Sequence, residues 1–422
     1  MQALMETAAP TRSHAISSSI DSVDIAAWGR LCCDPDNPFM EPKFLRCVEQ
    51  SMAGQAKVWY VILRDGNGDP AACACLTEFT VDLAIVAGSA LKKVIGAIRH
   101  VFPRLFFFKI MMCGLPVSNG QSSLRVAPGV EHKWVLEQID SMMRELAARC
   151  GARFLLFKEF TASECEQMKS VLDLGYTLGE SLPMNLFDRK FDDFEHYLTA
   201  LKAHYRQDIR RSKKKLEKAG ISIARIPGGP ELEQIYSDEV HKLYLAVVER
   251  AESKLEVLPR EFFLAMAREF RDCISFTYAS KDERMLGFNW ALRSGRAYRF
   301  MFCGIDYKLN EEAEIYFNLM YAELDNGLKA NAAEIEVGQT ADLFKSRLGC
   351  FQVPLAFYVK ATIFQELLRR GARFLFPARP PVPAYDIYKS APPEDAQNRC
   401  APSSRIAQER RDPGDPASTE RV

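Results

Sequence analysis

One order of elements runs twice along this chain of 422 residues: strand, loop, long helix, short strand, short helix, glycine, strand. Phe108–Gly114 (FKIMMCG) closes a strand in the first copy, and Arg299–Gly304 (RFMFCG) closes its counterpart in the second. A short helix then stops at Gly175 in one copy and at Gly349 in the other. Residue identity between the copies is weak, but the shared order reads as a tandem duplication. The length agrees, because two or three domains are expected of a chain this long.

The elements follow from periodicity and punctuation. Val58–Leu63 and Ala71–Thr77 read as strands joined by the turn Asp65-Gly66-Asn67-Gly68-Asp69. Trp134, Val135, Ile139, Met142, Met143 and Leu146 recur at helical spacing, marking a long amphipathic helix. A continuous basic helix is expected from Asp192 to Gly220, and the second copy's long helix from about Glu311 to Ala330. These give a flexible N-terminus over 1–34, a first domain over 35–190, a basic connecting helix over 191–222 and a second domain over 223–376. Residues 377–422, rich in Pro, Ser, Asp and Arg without apolar periodicity, read as a disordered tail.

Charge and cysteine usage exclude some classes. Lys plus Arg and Asp plus Glu both number 55, so any basic site must be local. Twelve dispersed cysteines without a C-x-x-C pair argue for reduced thiols in a cytoplasmic protein, and six scattered histidines give no metal spacing. The N-terminus lacks the pattern of a secretory signal, and the apolar stretch 81–115 is broken by Lys92, Lys93, Arg99, His100, Pro103, Arg104 and Lys109, which rules out a spanning helix there. A surface helix at about 89–101 followed by a buried strand is expected instead; the same basic interruptions suit an interfacial helix at a membrane surface.

The duplicated order resembles that of the GNAT acyltransferase fold, a mixed α/β sheet whose central strands splay where the acyl donor enters. Glu336-Val-Gly338-Gln339-Thr-Ala-Asp-Leu-Phe-Lys345-Ser-Arg-Leu-Gly349 resembles the C-terminal signature of the FemAB-like and BioF2-like acyltransferases. Asn37-Pro-Phe resembles the start of their first helix, and Lys158-Glu-Phe160 with Leu-Gly175-Tyr176 their first-domain ending. His204-Tyr205-Arg206, Arg210-Arg211, Lys215 and Gly220 resemble their connecting helix. The resemblance spans roughly residues 35–365 and implies two tandem GNAT-like domains joined by that helix.

It also implies a site. Lys345 would fix a phosphate or carboxylate, and Glu336 on the fifth strand would act as general base; alternation with Ile335 and Val337 equally makes it the polar face of a half-buried strand. Tyr316 and Tyr307 would serve as acid or substrate contact. Cys303 and Gly304 at the end of the splayed strand, with Gln339, would face the donor. Arg206, Arg210 and Arg211 belong to a segment, 202–218, holding eight basic residues against Asp208 and Glu217. That segment reads either as a phosphate-contacting wall for a tRNA, a nucleotide-linked precursor or an anionic lipid, or as a solvated face.

The expected function is N-acyl transfer from acyl-CoA, without a metal, to an amine of a small molecule or cell-envelope precursor, in the bacterial cytoplasm or at the inner membrane face. Two alternatives stand beside it. The coenzyme A signature Q/R-x-x-G-x-G/A is absent, and Asn310-Glu311-Glu312 would set carboxylates where a diphosphate should sit. FemABX-type transferases, which take aminoacyl-tRNA, also lack that loop. The other alternative is a non-catalytic interaction module.

Overall fold

The computed structural model describes residues 12–82, 96–99, 107–118, 120–188, 190–251, 256–363, 365–366, 370, 382–383 and 385–389. Its strands are β1 (Ser13–Ser17), β2 (Ala56–Arg64), β3 (Pro70–Asp82), β4 (Phe107–Cys113), β5 (Leu124–Val126), β6 (Phe154–Thr161), β7 (Thr177–Glu180), β8 (Met184–Phe187), β9 (Ser222–Pro227), β10 (Ile274–Lys281), β11 (Arg284–Ser294), β12 (Ala297–Ile305), β13 (Glu334–Gly338), β14 (Phe351–Val353) and β15 (Leu355–Ala361). They form two mixed sheets. The first runs β1-β2-β3-β4-β6-β15-β7, with β5 on β3, and the second runs β14-β8-β13-β12-β11-β10-β9.

Among the described residues each sheet contains one parallel pair, β4 with β6 and β12 with β13, spanned by a long helix as parallel neighbours require. In the first half that helix is His132–Cys150; it buries Val135, Ile139, Met142, Met143 and Leu146, and stops at Gly151 with φ +75°. In the second half it is Ile315–Lys329, four residues later than the sequence suggests, because Glu314 takes a left-handed conformation that interrupts the run. The halves share a core: Phe44 of helix Pro42–Ser51 meets Phe262 and Phe270 of helix Arg260–Phe270, both with ring centroids 6.3 Å away.

Several expectations are corrected. Within the expected flexible N-terminus, residues 12–34 take part in the fold: β1 pairs with β2, and Asp24 caps helix Ile25–Leu31, which buries Ala27 and Trp28. The connecting segment is two helices, Phe194–Ala200 and Ala203–Lys218, parted at Leu201–Lys202, where Lys202 N–H donates to Ile387 O. Residues 382–383 and 385–389, from the expected tail, belong to the fold. Ile387 is buried, Tyr388 bridges Leu201, and Ser346 Oγ donates to Pro383 O. The helix expected at about 89–101 lies outside the described residues, apart from a turn at 96–99. No helix among the described residues is long and apolar enough to cross a membrane.

The expected boundaries near 190 and 223 do not follow the sheets. β8, from the first copy's end, inserts between β13 and β14, while β15, from the second copy's end, inserts between β6 and β7. Each half thus lends a strand to the other.

The parallel pair of the second half soon comes apart. β12 and β13 pair at Ala297/Glu334, Tyr298/Ile335 and Arg299/Glu336 only; β12 then continues along β11 to Ile305, while β13 turns to β8. A β-bulge lies just beyond this fork, where Trp290 opposes Phe302 and Ala291 opposes Phe300, leaving Met301 without a cross-strand partner. Met301, Phe302 and Cys303 are all partly exposed, so the edge of the fork is open.

Candidate active site

Lys345 rises into the fork from helix Asp342–Arg347. It is only 3% exposed, and no hydrogen bond or ion pair holds its Nζ among the described residues. Burial pulls its pKa down to about 8, partly offset by Cys350, Asp342 and Cys303. Two residues fix its place. Gly338 ends β13 with φ +90°, and a Cβ there would stand 3.3 Å from Lys345 Nζ. Asn185 on the lent strand β8 donates to Gly338 O at 2.9 Å and to Asp342 Oδ1 at 2.8 Å, tying the turn to the helix that carries the lysine.

Around Lys345 gather Cys303, Tyr307, Tyr316 and Cys350, four groups whose charges bear on one another. Burial pushes Cys303 up to about 11 and Cys350 up to about 12, with the lysine charge working against both, and it raises Tyr316 far above its ordinary range. Phe344 stacks on Phe317 at 4.4 Å and meets Tyr316 at 5.6 Å, packing the lysine helix onto helix Ile315–Lys329. Tyr307 lies under the Arg250 guanidinium at 3.8 Å. Gly304 is buried and serves packing: a Cβ there would stand 2.3 Å from Phe288 and 2.9 Å from Leu243.

Glu336 is 1% exposed and ion-paired with the equally buried Arg299, Nε to Oε1 at 2.9 Å. Gln121 reaches it from the first half at 3.4 Å, and Asn37 in turn holds Gln121. The strand is buried from Ile335 to Val337, so the alternation seen in the sequence does not separate a wet face from a dry one. Gln339 likewise faces the other half, donating to Glu159 Oε1 at 3.1 Å and to Leu182 O. Ser181 donates to the same Glu159 oxygen, while Lys158 Nζ donates to Leu115 O and Pro116 O.

A third carboxyl joins this seam from the loop before helix Arg260–Phe270. Burial lifts Glu256 to about 7, Glu159 adds to the rise, and the Lys158 charge opposes it. Tyr244, whose ring is 6.3 Å from Phe302, feels both Glu256 and Cys303, which places it between the seam and the fork. Sequence reasoning did not assign Asn185, Arg299, Glu256 or Cys350 to the site. Arg299 alone carried a signal, a charge set in a strand directly before the apolar run Phe300–Phe302.

Helix Ala203–Lys218 packs behind this site rather than inside it. Lys215 pairs with Glu314, Arg211 pairs with Asp208, and Arg347 of the lysine helix also approaches Asp208 at 3.7 Å. Arg206 donates to Leu201 O. Arg210, Lys214 and Lys218 are exposed and form no ion pair among the described residues. At the N-terminus of helix Ile315–Lys329, Asn310 Oδ1 accepts the Tyr316 N–H at 2.8 Å, while Glu314, at the N-cap, makes no side-chain cap bond and pairs with Lys215 instead. A cavity of about 550 Å³ lies elsewhere, between helices Phe194–Ala200, Ala203–Lys218 and Ile315–Lys329.

The chain is similar to several known proteins. The FemAB-like family, described as peptidoglycan biosynthesis/recognition, matches residues 106–342. A tandem GNAT protein from the clavulanic acid biosynthesis pathway superposes with a TM-score of 0.50 at 12% identity, covering 83% of this chain and 98% of that one. FemX superposes with a TM-score of 0.49 at 10% identity, covering 85% and 99%. The C-terminal domain of a lysylphosphatidylglycerol synthetase from Agrobacterium fabrum gives 0.49 at 12%, covering 85% and 98%. No curated protein sequence matches the chain.

Proposed function

Because the chain belongs to the FemAB-like family, with a GNAT fold in each half, we propose that it transfers an acyl group to the amine of a cell-envelope precursor at the fork of the second sheet. The observation that carries this reading is the lysine in the fork: a buried amine with no partner among the described residues, beside a bulged strand edge. A group desolvated in that way is poised for an anionic or developing negative charge. In the reaction the acceptor amine attacks the donor carbonyl, a C–N bond forms, and the tetrahedral oxyanion rests against Lys345 and the backbone at Met301. The amine's surplus proton passes to Glu256, whose raised pKa suits a base near neutrality. The ester or thioester bond then breaks, and the leaving oxygen or sulfur is protonated. Gln339, Glu336 and Arg299 hold the two halves at a fixed separation across the acceptor side.

A specific observation favours an aminoacyl-tRNA donor over acyl-CoA. A coenzyme A diphosphate uses free N–H groups at a helix N-terminus, and here Asn310 Oδ1 already accepts the Tyr316 N–H, with Glu314 at the N-cap. Arg210, Lys214 and Lys218, which form no ion pair among the described residues, offer a phosphate backbone a contact without consuming the site. The test is transfer of radiolabelled amino acid or acetate to a lipid-linked or soluble peptidoglycan precursor, with charged tRNA or acetyl-CoA as donor. Transfer from charged tRNA, lost in Lys345→Met, is expected. Transfer from acetyl-CoA alone overturns the donor assignment, and transfer from neither overturns the transferase reading.

A further inference from the structure

We propose that Cys32 and Cys73 form a dithiol modification site that hydroperoxides oxidise to a disulfide. The inference stands apart from the transfer reaction. Cys32 caps the C-terminus of helix Ile25–Leu31, and Cys73 lies in β3; their sulfurs are 3.3 Å apart, although 41 residues separate them in sequence. A disulfide needs about 2.0 Å, so the two must close by only about 1 Å.

The two thiols are unequal in the way such chemistry requires. Cys32 is half-buried and reachable, whereas Cys73 is wholly buried. Arg125 stands opposite Cys73 in the β3–β5 pair, and its charge favours a thiolate at Cys32. The Cys73 thiol hydrogen bond lowers the Cys32 pKa, while burial raises Cys47 and Cys113 to about 12 and leaves them inert.

The Cys32 thiolate attacks the peroxide, forming an S–O bond and breaking the O–O bond, and the released oxygen leaves as water. Cys73 sulfur then attacks Cys32 Sγ: the S–S bond forms, the S–O bond breaks, and a second water leaves with the Cys73 proton. Two thiols lose two electrons and one hydrogen peroxide becomes two waters. The bond would pin residue 32 to the first sheet four residues before Asp36, which accepts the Arg296 N–H across the halves.

The experiment treats the full chain with hydrogen peroxide, blocks the remaining thiols by alkylation and maps tryptic peptides by tandem mass spectrometry. Peptides 31–43 and 65–92 should appear joined through Cys32 and Cys73, with two fewer alkylated thiols and full reversal by dithiothreitol. Cys33→Ser should retain the link and Cys32→Ser should lose it, with circular dichroism confirming that both fold. A link from Cys32 to Cys33 or to Cys75 overturns the proposal. So does sulfinic acid at Cys32 with Cys73 still alkylatable, or no oxidation at either residue. The wild-type map decides the matter even where a variant fails to fold.

Discussion

The Nζ of Lys345 lies 3.3 Å from the point where a Cβ on residue 338 would stand. Glycine at 338 therefore does two things: it permits the left-handed turn that ends β13, and it leaves room for the lysine. Gly338→Ala should cost about 1–2 kcal/mol from backbone strain and displace the amine. Urea unfolding would show the modest loss of stability, and transfer assays a larger loss in kcat than in KM.

Lys345 also predicts a pH dependence of folding. Its folded pKa, about 8, lies below the ordinary 10.5. Below pH 8 both states carry the proton and the folded state bears the full cost of burying it. Between about 8 and 10.5 the unfolded chain holds more protons, so stability rises with pH, by about 3 kcal/mol in total. The difference between wild type and Lys345→Met, followed by denaturant melts across that window, should shrink or reverse as pH rises. A difference independent of pH would remove the buried charge from the account.

Arg299 and Glu336 form a buried ion pair, and halving it strands a charge. Glu336→Gln or Arg299→Met alone should destabilise the protein by about 3–5 kcal/mol. The double variant Arg299→Met/Glu336→Leu should recover most of that in equilibrium unfolding. Additive losses in the double variant would mean that the two residues act independently.

Glu256 should set the acidic limb of the pH–rate profile. With a pKa raised to about 7, it is protonated and idle as a base below that pH and active above it. Glu256→Gln should flatten the limb and lower kcat by about 10²–10⁴. A limb that survives the substitution assigns the base elsewhere.

Removing residues 382–422 tests the docked segment. It would expose the surface under Ile387 and delete the bonds Lys202 N–Ile387 O, Ser346 Oγ–Pro383 O and Lys389 N–Ala200 O. A lower Tm, with faster hydrogen exchange in helix Asp342–Arg347, is the expected result.

The sequence conveyed what repeats and what packs. Helix His132–Cys150 appeared through Val135, Ile139, Met142, Met143 and Leu146, and the fork through the paired phrases ending at Gly114 and Gly304. Lys345, Cys303, Tyr307 and Tyr316 do come together in space. What pattern could not supply was pairing at long range. Glu334 and Glu336 alternate as a wet face should, yet Arg299, 37 positions earlier, buries the second of them. Gly304 looked like a ligand contact, and only the positions of Phe288 and Leu243 show it to be a packing glycine. Asn185 is an ordinary strand residue until β8 is found in the other half's sheet. The break at Leu201–Lys202 depends on Ile387, which lies beyond any local window.

The exchange of β8 and β15 sets a timetable for the chain on the ribosome. β7 pairs with β15 in the first sheet, so Thr177–Glu180 must wait for a strand that starts at Leu355. At translation rates of about 5–20 residues per second, that interval is on the order of 10–35 s. Throughout it β6 presents a naked edge, the kind of surface that invites pairing with a neighbouring nascent chain. The first half cannot finish before the second is nearly made, and the edge of β6 is covered only when the last strand emerges.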